Sequence, residues 1–309
     1  MSYTPSTNKD YLRRVQFAYS PLDDLSQFLN VGFVSRYTSN LTNDREVIRE
    51  LGFEDIGFDL KLGEVVTADL AWRAIDPTMI QWFMSLADGT AGSPSNPVAV
   101  LEDCNINGVE KFFLTDGLKP TRLSLTYARM LEVTGSMIGI SQTDAMTEAE
   151  LETLLGIVDP AEVLYAENII TPPWSNLSGE TTTPLEIDTG SGMDAYPNKS
   201  FTMDVGRAVA NNQPSGNTAP THLDITNREI TGSWTTILKD DPFYDAVKDA
   251  TPMDMQLTLK AGATPCVLSL VDMVFNAFPR VSDSGSTNHR EITFSYQAKS
   301  ASISDYVAV

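Results

Sequence analysis

Apolar and polar residues alternate along most of this chain, in short runs rich in Thr, Val, Ile, Phe and Tyr that are separated by Gly, Asn, Asp and Pro. A period of two makes each run a strand with one apolar and one polar face. The pattern predicts strands over 31–39, 55–62, 65–74, 109–116, 121–130 and 132–140, and a second series over 200–209, 222–225, 228–238, 255–261, 266–278 and 290–298. The period changes in two places. Over 75–89, Ile80, Phe83, Met84 and Ala87 stand at helical spacing behind Asp76 and Pro77, an N-cap followed by proline at the first helical position. Over 240–250, Phe243, Ala246, Val247 and Ala250 repeat that spacing behind Asp241 and Pro242. A third helix is predicted at 147–156.

The second helix signal repeats the first at an offset that other features share. Glu64-Val65 recurs as Glu229-Ile230 at the same offset as Asp76-Pro77 and Asp241-Pro242. Cys104 recurs as Cys266 at a slightly smaller offset, and Glu132-Val133-Thr134 as Glu291-Ile292-Thr293 at one smaller still. The order is kept while the offset shrinks, as small deletions would produce. This predicts a unit written twice. The expected boundaries are an N-terminal arm at 1–23, copies at 24–141 and 184–300, a connector with a short helix at 142–183, and a C-terminal arm at 301–309.

Three strands share a phrase: "EVTGSM" (132–137), "EITGSW" (229–234) and "EITFSY" (291–296). Alternation puts Glu132, Thr134 and Ser136 on one face, as it does Glu229, Thr231 and Ser233, and Glu291, Thr293 and Ser295. Thr67 and Asp69 share the corresponding face of "VVTADLAWR", opposite Val66, Ala68, Leu70 and Trp72. The three repeated strands then have one packed face and one wet face whose only charge is acidic.

Composition narrows the functions open to the chain. Of 309 residues, 42% are hydrophobic, enough for a sizeable core. Against 41 acidic residues stand 21 basic ones, a net charge of −20 that disfavours stable binding of nucleic acid or anionic membrane. The sequence contains neither an apolar run long enough to span a membrane nor an apolar N-terminal leader, so cytoplasmic synthesis is expected. Two cysteines and two histidines, His222 and His289, stand apart from one another, so no metal site or cofactor is expected, and the thiols are expected to be free. The strings "IDTGSG" (187–192) and "SDSGST" (282–287) resemble the loops that present paired catalytic carboxylates, here Asp188 and Asp283. Both fall in one copy at positions that a two-fold relation would not pair, and turn chemistry accounts for them. No catalytic residue is predicted.

Longer stretches carry a family resemblance. "SNLTNDREVIRELGFED", "GEVVTADLAWRAIDPTMIQWFM" and "VEKFFLTDGLKPTRLSLTYARMLEVTGSMIG", followed by "ITNREITGSWTTILKDDPFYDAVKDA" and "MQLTLKAGATPCVLSLVDMVFNAFPRV", resemble in element order the tail tube proteins of long-tailed bacterial and archaeal viruses. The resemblance implies a mainly β fold: two tandem sandwich or half-barrel domains, each with one flanking α-helix. It implies a structural virion protein whose domains form stacked hexameric or, from three chains, pseudo-hexameric rings. The wet acidic face would then line a lumen through which viral DNA passes without specific binding. Loops at 40–54 and 211–220, with Asn40, Asn43, Asp44, Arg45, Glu46, Asn211, Asn212, Gln213 and Asn217, would make the contacts between rings. The implied partners are other copies of the chain, a tape measure protein, and tail terminator and baseplate proteins, with no membrane. The implied location is the virion tail, after assembly in the host cytoplasm. The rival readings are another virion module (baseplate, terminator or capsid decoration) and an acid protease using Asp188 and Asp283.

Overall fold

The computed structural model describes residues 11–19, 28–29, 33–48, 58–74, 77–84, 97–128, 130–155, 185–190, 192–212, 222–238, 243–259, 266–277 and 290–305. The fold is mainly β, as the alternation predicts. Its elements run β1 (Tyr11–Tyr19), β2 (Phe28–Leu29), β3 (Phe33–Ile48), β4 (Phe58–Arg73), α1 (Thr78–Met84), β5 (Val98–Ile106), β6 (Val109–Tyr127), β7 (Leu131–Gly139), β8 (Ser141–Gln142) and α2 (Glu148–Leu155). They continue with β9 (Leu185–Asp188), β10 (Met193–Tyr196), β11 (Ser200–Asn212), β12 (His222–Leu238), α3 (Tyr244–Lys248), β13 (Met253–Leu259), β14 (Cys266–Phe275) and β15 (Arg290–Asp305).

All described pairings are antiparallel, and the same order of pairing occurs twice. In the first half β2 pairs β1, β1 pairs β5, β5 pairs β6, β6 pairs β7, β7 pairs β4 and β4 pairs β3. In the second half β10, β9, β13, β14, β15, β12 and β11 follow one another in the same way. The repeat extends to irregularities. The ladder of β3 and β4 shifts between Asp44 and Arg45, and that of β11 and β12 shifts at the corresponding place, between Ala208 and Val209. The bulge where β5 meets β6 holds Gly117 at φ 69, and the matching bulge where β13 meets β14 holds Asp272 at φ 51. Left-handed backbone is costly for Asp, so its presence at the same bulge marks a geometry that both halves require.

These registers correct two alignments read from the sequence. Val66 pairs Gly139, and Ile230 pairs Ala298, so Val66 and not Val65 occupies the place of Ile230. The repeated Glu-aliphatic pair at 64 and 229 is therefore one residue out of step, which in a strand means the opposite face. Cys104 on β5 is not the counterpart of Cys266 on β14. Cys104 pairs Lys111 and Leu259 pairs Cys266, so the thiols occupy opposite strands of equivalent pairs. Both are free.

Other elements differ from the sequence reading. Residues 11–19, placed in an arm, form β1 beside β5, and 301–305, placed in the other arm, continue β15 along β14. The runs 109–116 and 121–130 merge into β6, whose register shifts between Pro120 and Arg122, which is how a strand accommodates a proline. The helical stripes also pack differently. Phe83 lies within α1 and stacks on Trp72, 5.8 Å between ring centroids, while Phe243 precedes α3 and meets Phe294 edge-on at 5.6 Å. Asp76, Ala87, Asp241 and Pro242 lie outside the described residues.

One apolar cluster runs through both halves, from Phe17, Leu70, Trp72 and Leu125 to Trp234, Phe275, Phe294 and Tyr296. The halves also share a sheet: β6 of the first pairs β11 of the second, from Tyr127 opposite Phe201 to Arg122 opposite Gly206.

Candidate functional site: the wet face of the shared sheet

The site is built from strands β3, β4, β7, β6, β11, β12, β15 and β14, hydrogen-bonded in that order. Alternation assigns its two faces. Val133, Gly135 and Met137 are buried, as are Ile230 and Trp234, and Ile292, Phe294 and Tyr296. On the other side Glu132, Thr134, Glu229, Glu291, Thr293, Ser295, Thr67 and Asp69 are exposed, and Ser136, Thr231 and Ser233 are half-buried. The three repeated phrases thus place their Glu, Thr and Ser on one continuous surface.

The glycines in two of those phrases have distinct causes. A Cβ at Gly135 would lie 2.3 Å from Cζ of Phe83, so this glycine makes room for the ring of α1. A Cβ at Gly232 would lie 2.2 Å from the carbonyl oxygen of Thr202 and 2.4 Å from Oη of Tyr296, whose hydroxyl donates to that same carbonyl at 2.8 Å. "EITFSY" has Phe294 where "EVTGSM" has glycine, because there the space over the strand is filled by Phe243 lying against Phe294.

The charge of this face corrects the expectation drawn from single strands. Neighbouring strands bring cations beside the acids: Arg73 lies 3.7 Å from Glu132, Arg122 lies 3.1 Å from Asp204, Lys299 lies 2.9 Å from Asp272, and Lys199 is paired with Glu291. Asp69 accepts a hydrogen bond from Ser136 at 2.6 Å, and Glu229 one from Gln297 at 3.3 Å. Each exposed pair stabilises by only about 0–1 kcal/mol. Their effect on the surface potential is larger, because each of these acids is met by a cation or a donor. Between them stand hydroxyls bonded across strands, Thr235 with Thr293 at 2.9 Å and Thr202 with Ser233 at 2.8 Å. Shallow hollows occur on it, one lined by Arg36, Asp69, Arg122, Ser124, Thr134 and Ser136. Arg122, Ser124, Thr202 and Asp204 were missed from the sequence, although alternation in "TRLSLTY" and "SFTMDV" places each pair on one face.

Other predicted positions fall elsewhere. Asn40, Asn43, Asp44, Arg45 and Glu46, read as a loop, lie in β3, and Asn211 and Asn212 lie in β11. Their polar composition suggested a loop, but Asn40 pairs Thr67 within the body of the sheet, and the others lie in hairpin arms that continue past it. Gln213 and Asn217 lie outside the described residues. Asp188 closes a turn after β9, accepting from the backbone N–H of Gly190 at 2.7 Å and of Gly192 at 3.0 Å, while Asp283 lies outside the described residues. Gly190 at φ 100 and Gly192 at φ 114 supply the left-handed backbone of that turn. Among the described residues no cluster of His, Cys, Asp and Glu could hold a metal ion, and no helix is long and apolar enough to cross a membrane.

No curated protein matches the chain. The sequence model of the phage tail tube protein family matches residues 57–298, a span that runs from β4 into β15 and takes in the seam of β6 and β11. The family is structural and non-enzymatic, which sets aside the protease reading of Asp188 and Asp283. The chain belongs to the phage tail tube protein family, a component of the virion tail.

Proposed function

We infer that the chain forms rings by repeating between molecules the seam that β6 and β11 form within one. That seam carries the reading. The register of the two halves places Tyr37–Thr42 of β3 where Phe201–Gly206 of β11 stand. The outer edge of β11 carries β6 of the preceding half, whereas the outer edge of β3 has no strand beside it among the described residues. A long open edge is a template for another strand, and a chain that repeats its own junction closes into a ring.

With two copies of the unit per chain, three chains give six positions. The wet face then lines the lumen, with Glu132, Thr134, Ser136, Glu229, Thr231, Ser233, Glu291, Thr293, Ser295, Thr67 and Asp69 on its wall. Hydroxyls and charges paired across strands hold water there and leave few cations to phosphate, so DNA passes without binding. Rings stack through Asn40 and the outer ends of the hairpin arms that carry Asn43 to Glu46, Asn211 and Asn212, continuing toward Gln213 and Asn217, while the inner ends of the arms face helices of the same ring. A tape measure protein and tail terminator and baseplate proteins are its partners, and assembly takes place in the host cytoplasm. Negative-stain electron microscopy of the purified chain tests this: hollow rings or tubes are expected, and particles that stay monomeric at high concentration would overturn it.

A further inference from the structure

The two helices that follow β4 and β12 are equivalent in order but differ in cover. On α1, Met79, Ile80, Trp82, Phe83 and Met84 are buried, and the side-chain amide of Gln81 donates to the carbonyl of Ile303 on β15 at 3.0 Å. The second hairpin arm, formed by the outer parts of β11 and β12, reaches the C-terminal end of α1. From it Arg207 donates to the carbonyl of Phe83, and Arg228 to the carbonyl of Met84. These carbonyls belong to the last described residues of α1, and a helix dipole is negative toward its C-terminal end, so the two cations sit where the helix attracts them.

The helix α3 has no buried residue, and Tyr244 and Lys248 are exposed. Its end is closed by its own backbone: Thr251 N–H donates to the carbonyl of Ala246 at 2.9 Å and Ala250 N–H to that of Val247 at 3.4 Å, with Ala250 at φ 50. Such an end has no need of arginines. The first hairpin arm offers none at the matching places. Arg207 pairs Arg228 in the second arm, and at the equivalent step of the first arm Asn43 pairs Glu64.

We propose that the open face of α3 around Tyr244 and Lys248 is the seat of the first hairpin arm of a second copy of this chain, laid on it as the second arm lies on α1. The proposal rests on the ring reading, since the same step that carries β11 onto β6 carries the second arm onto α1. Two observations assign the occupant. The in-chain contact supplies the template, and each helix end is matched to its arm, arginines for the end whose Phe83 and Met84 carbonyls accept from them and none for the end that its own backbone closes. Glu64 stands in the place of Arg228, and Lys248, flanked by Asp245 and Asp249, stands in the last turn of α3. The match also sets the order of units around a ring. A first arm placed on α1 would bring Glu64, a carboxylate, against carbonyls that in the chain accept from Arg207 and Arg228, so first units alternate with second units and do not pair with one another.

The test uses the full-length chain. In one variant Tyr244→Glu and Lys248→Glu are combined; both side chains are exposed, so the melting temperature of the monomer should stay within about 2 °C of the unaltered chain. The protein concentration at which rings appear in sedimentation velocity should rise at least about tenfold. In a second variant, Glu64→Cys with Lys248→Cys should crosslink between chains with a short bismaleimide, giving dimers and trimers. Rings from the unaltered chain, with unchanged assembly of the first variant and no interchain crosslink in the second, would overturn this inference alone. An unaltered chain that never assembles would overturn the ring reading and this inference together.

Discussion

Arg122 of β6 and Asp204 of β11 form an ion pair at 3.1 Å across the line where the sheet of the first half becomes the sheet of the second. Both side chains are exposed, so the pair contributes at most about 1 kcal/mol and screens with salt. Beneath it Leu123 and Val205 are buried opposite each other. The packing should therefore outweigh the charge. Arg122→Ala is expected to lower unfolding free energy by about 1 kcal/mol or less, and Leu123→Ala by about 2–5 kcal/mol, in urea titrations at fixed salt. Equal effects would contradict this ranking.

Gly135 is held small by Phe83. Gly135→Ala places a methyl group where the ring now sits, and the expected loss is about 1–3 kcal/mol because aromatic and strand must separate. Combined with Phe83→Leu, the alanine should cost measurably less than in the unaltered background. A double-mutant cycle by chemical denaturation checks this, and strict additivity would contradict it.

Burial makes one carboxyl a source of pH dependence. Glu102 on β5 is buried, and its carboxyl is shifted upward from 4.5 by loss of hydration, against polar contacts with Ser39, Thr115 and Gln142 that favour the charged form. The amide of Gln142 donates to Ser39 at 3.0 Å, to Thr115 at 3.2 Å and to Glu102 at 3.4 Å. A raised folded-state pKa means that the folded protein holds this proton more tightly than the unfolded chain. The stabilisation is then complete below the ordinary carboxyl range and is lost as pH rises through the raised value. Glu102→Gln should flatten this part of the stability profile, from the ordinary carboxyl range upward. A fall of unchanged size in the variant would assign it to other groups. The second half has no such device, because the matching positions are Phe201, Met203, Leu257 and Leu270, all buried and apolar.

The arginines on α1 predict local as well as global effects. Burial, helped by the nearby Arg228, lowers the pKa of the Arg207 guanidinium to about 10, which still leaves it charged at neutral pH. Arg228→Met keeps the apolar stem and removes the donor to Met84. A loss of about 1–2 kcal/mol is expected, with faster hydrogen exchange at the amides of α1 than at those of β7. Uniform acceleration across both elements would point to global destabilisation instead.

How much of this was legible in the sequence depended on solvent. Where one face of a strand meets water and the other the core, as in 132–137, 229–234 and 291–296, alternation named the exposed residues without any structure. Strands lacking that contrast were missed. In β5, Val98 to Asp103 are buried in an unbroken run, so no period of two appears and the strand went unread. The hairpin arms failed for the opposite reason, since residues 40–46 are polar enough to imitate a loop. The duplication was visible as recurring pairs of residues, but parity was not. Only the ladder shows that Val66 matches Ile230, and that Cys104 and Cys266 mark opposite strands. The balance of charge on the wet face was hidden because it arises between strands far apart in sequence, as with Lys199 and Glu291.

If the wet face is the wall of a lumen made by six units from three chains, a helical reconstruction of assembled tubes by cryo-electron microscopy tests it most directly. The expected map shows a ring of three chains whose inner wall carries Glu132, Glu229 and Glu291, with β3 of each chain hydrogen-bonded to the next. A map that places those three residues on the outside of the tube, or between stacked rings, would contradict it.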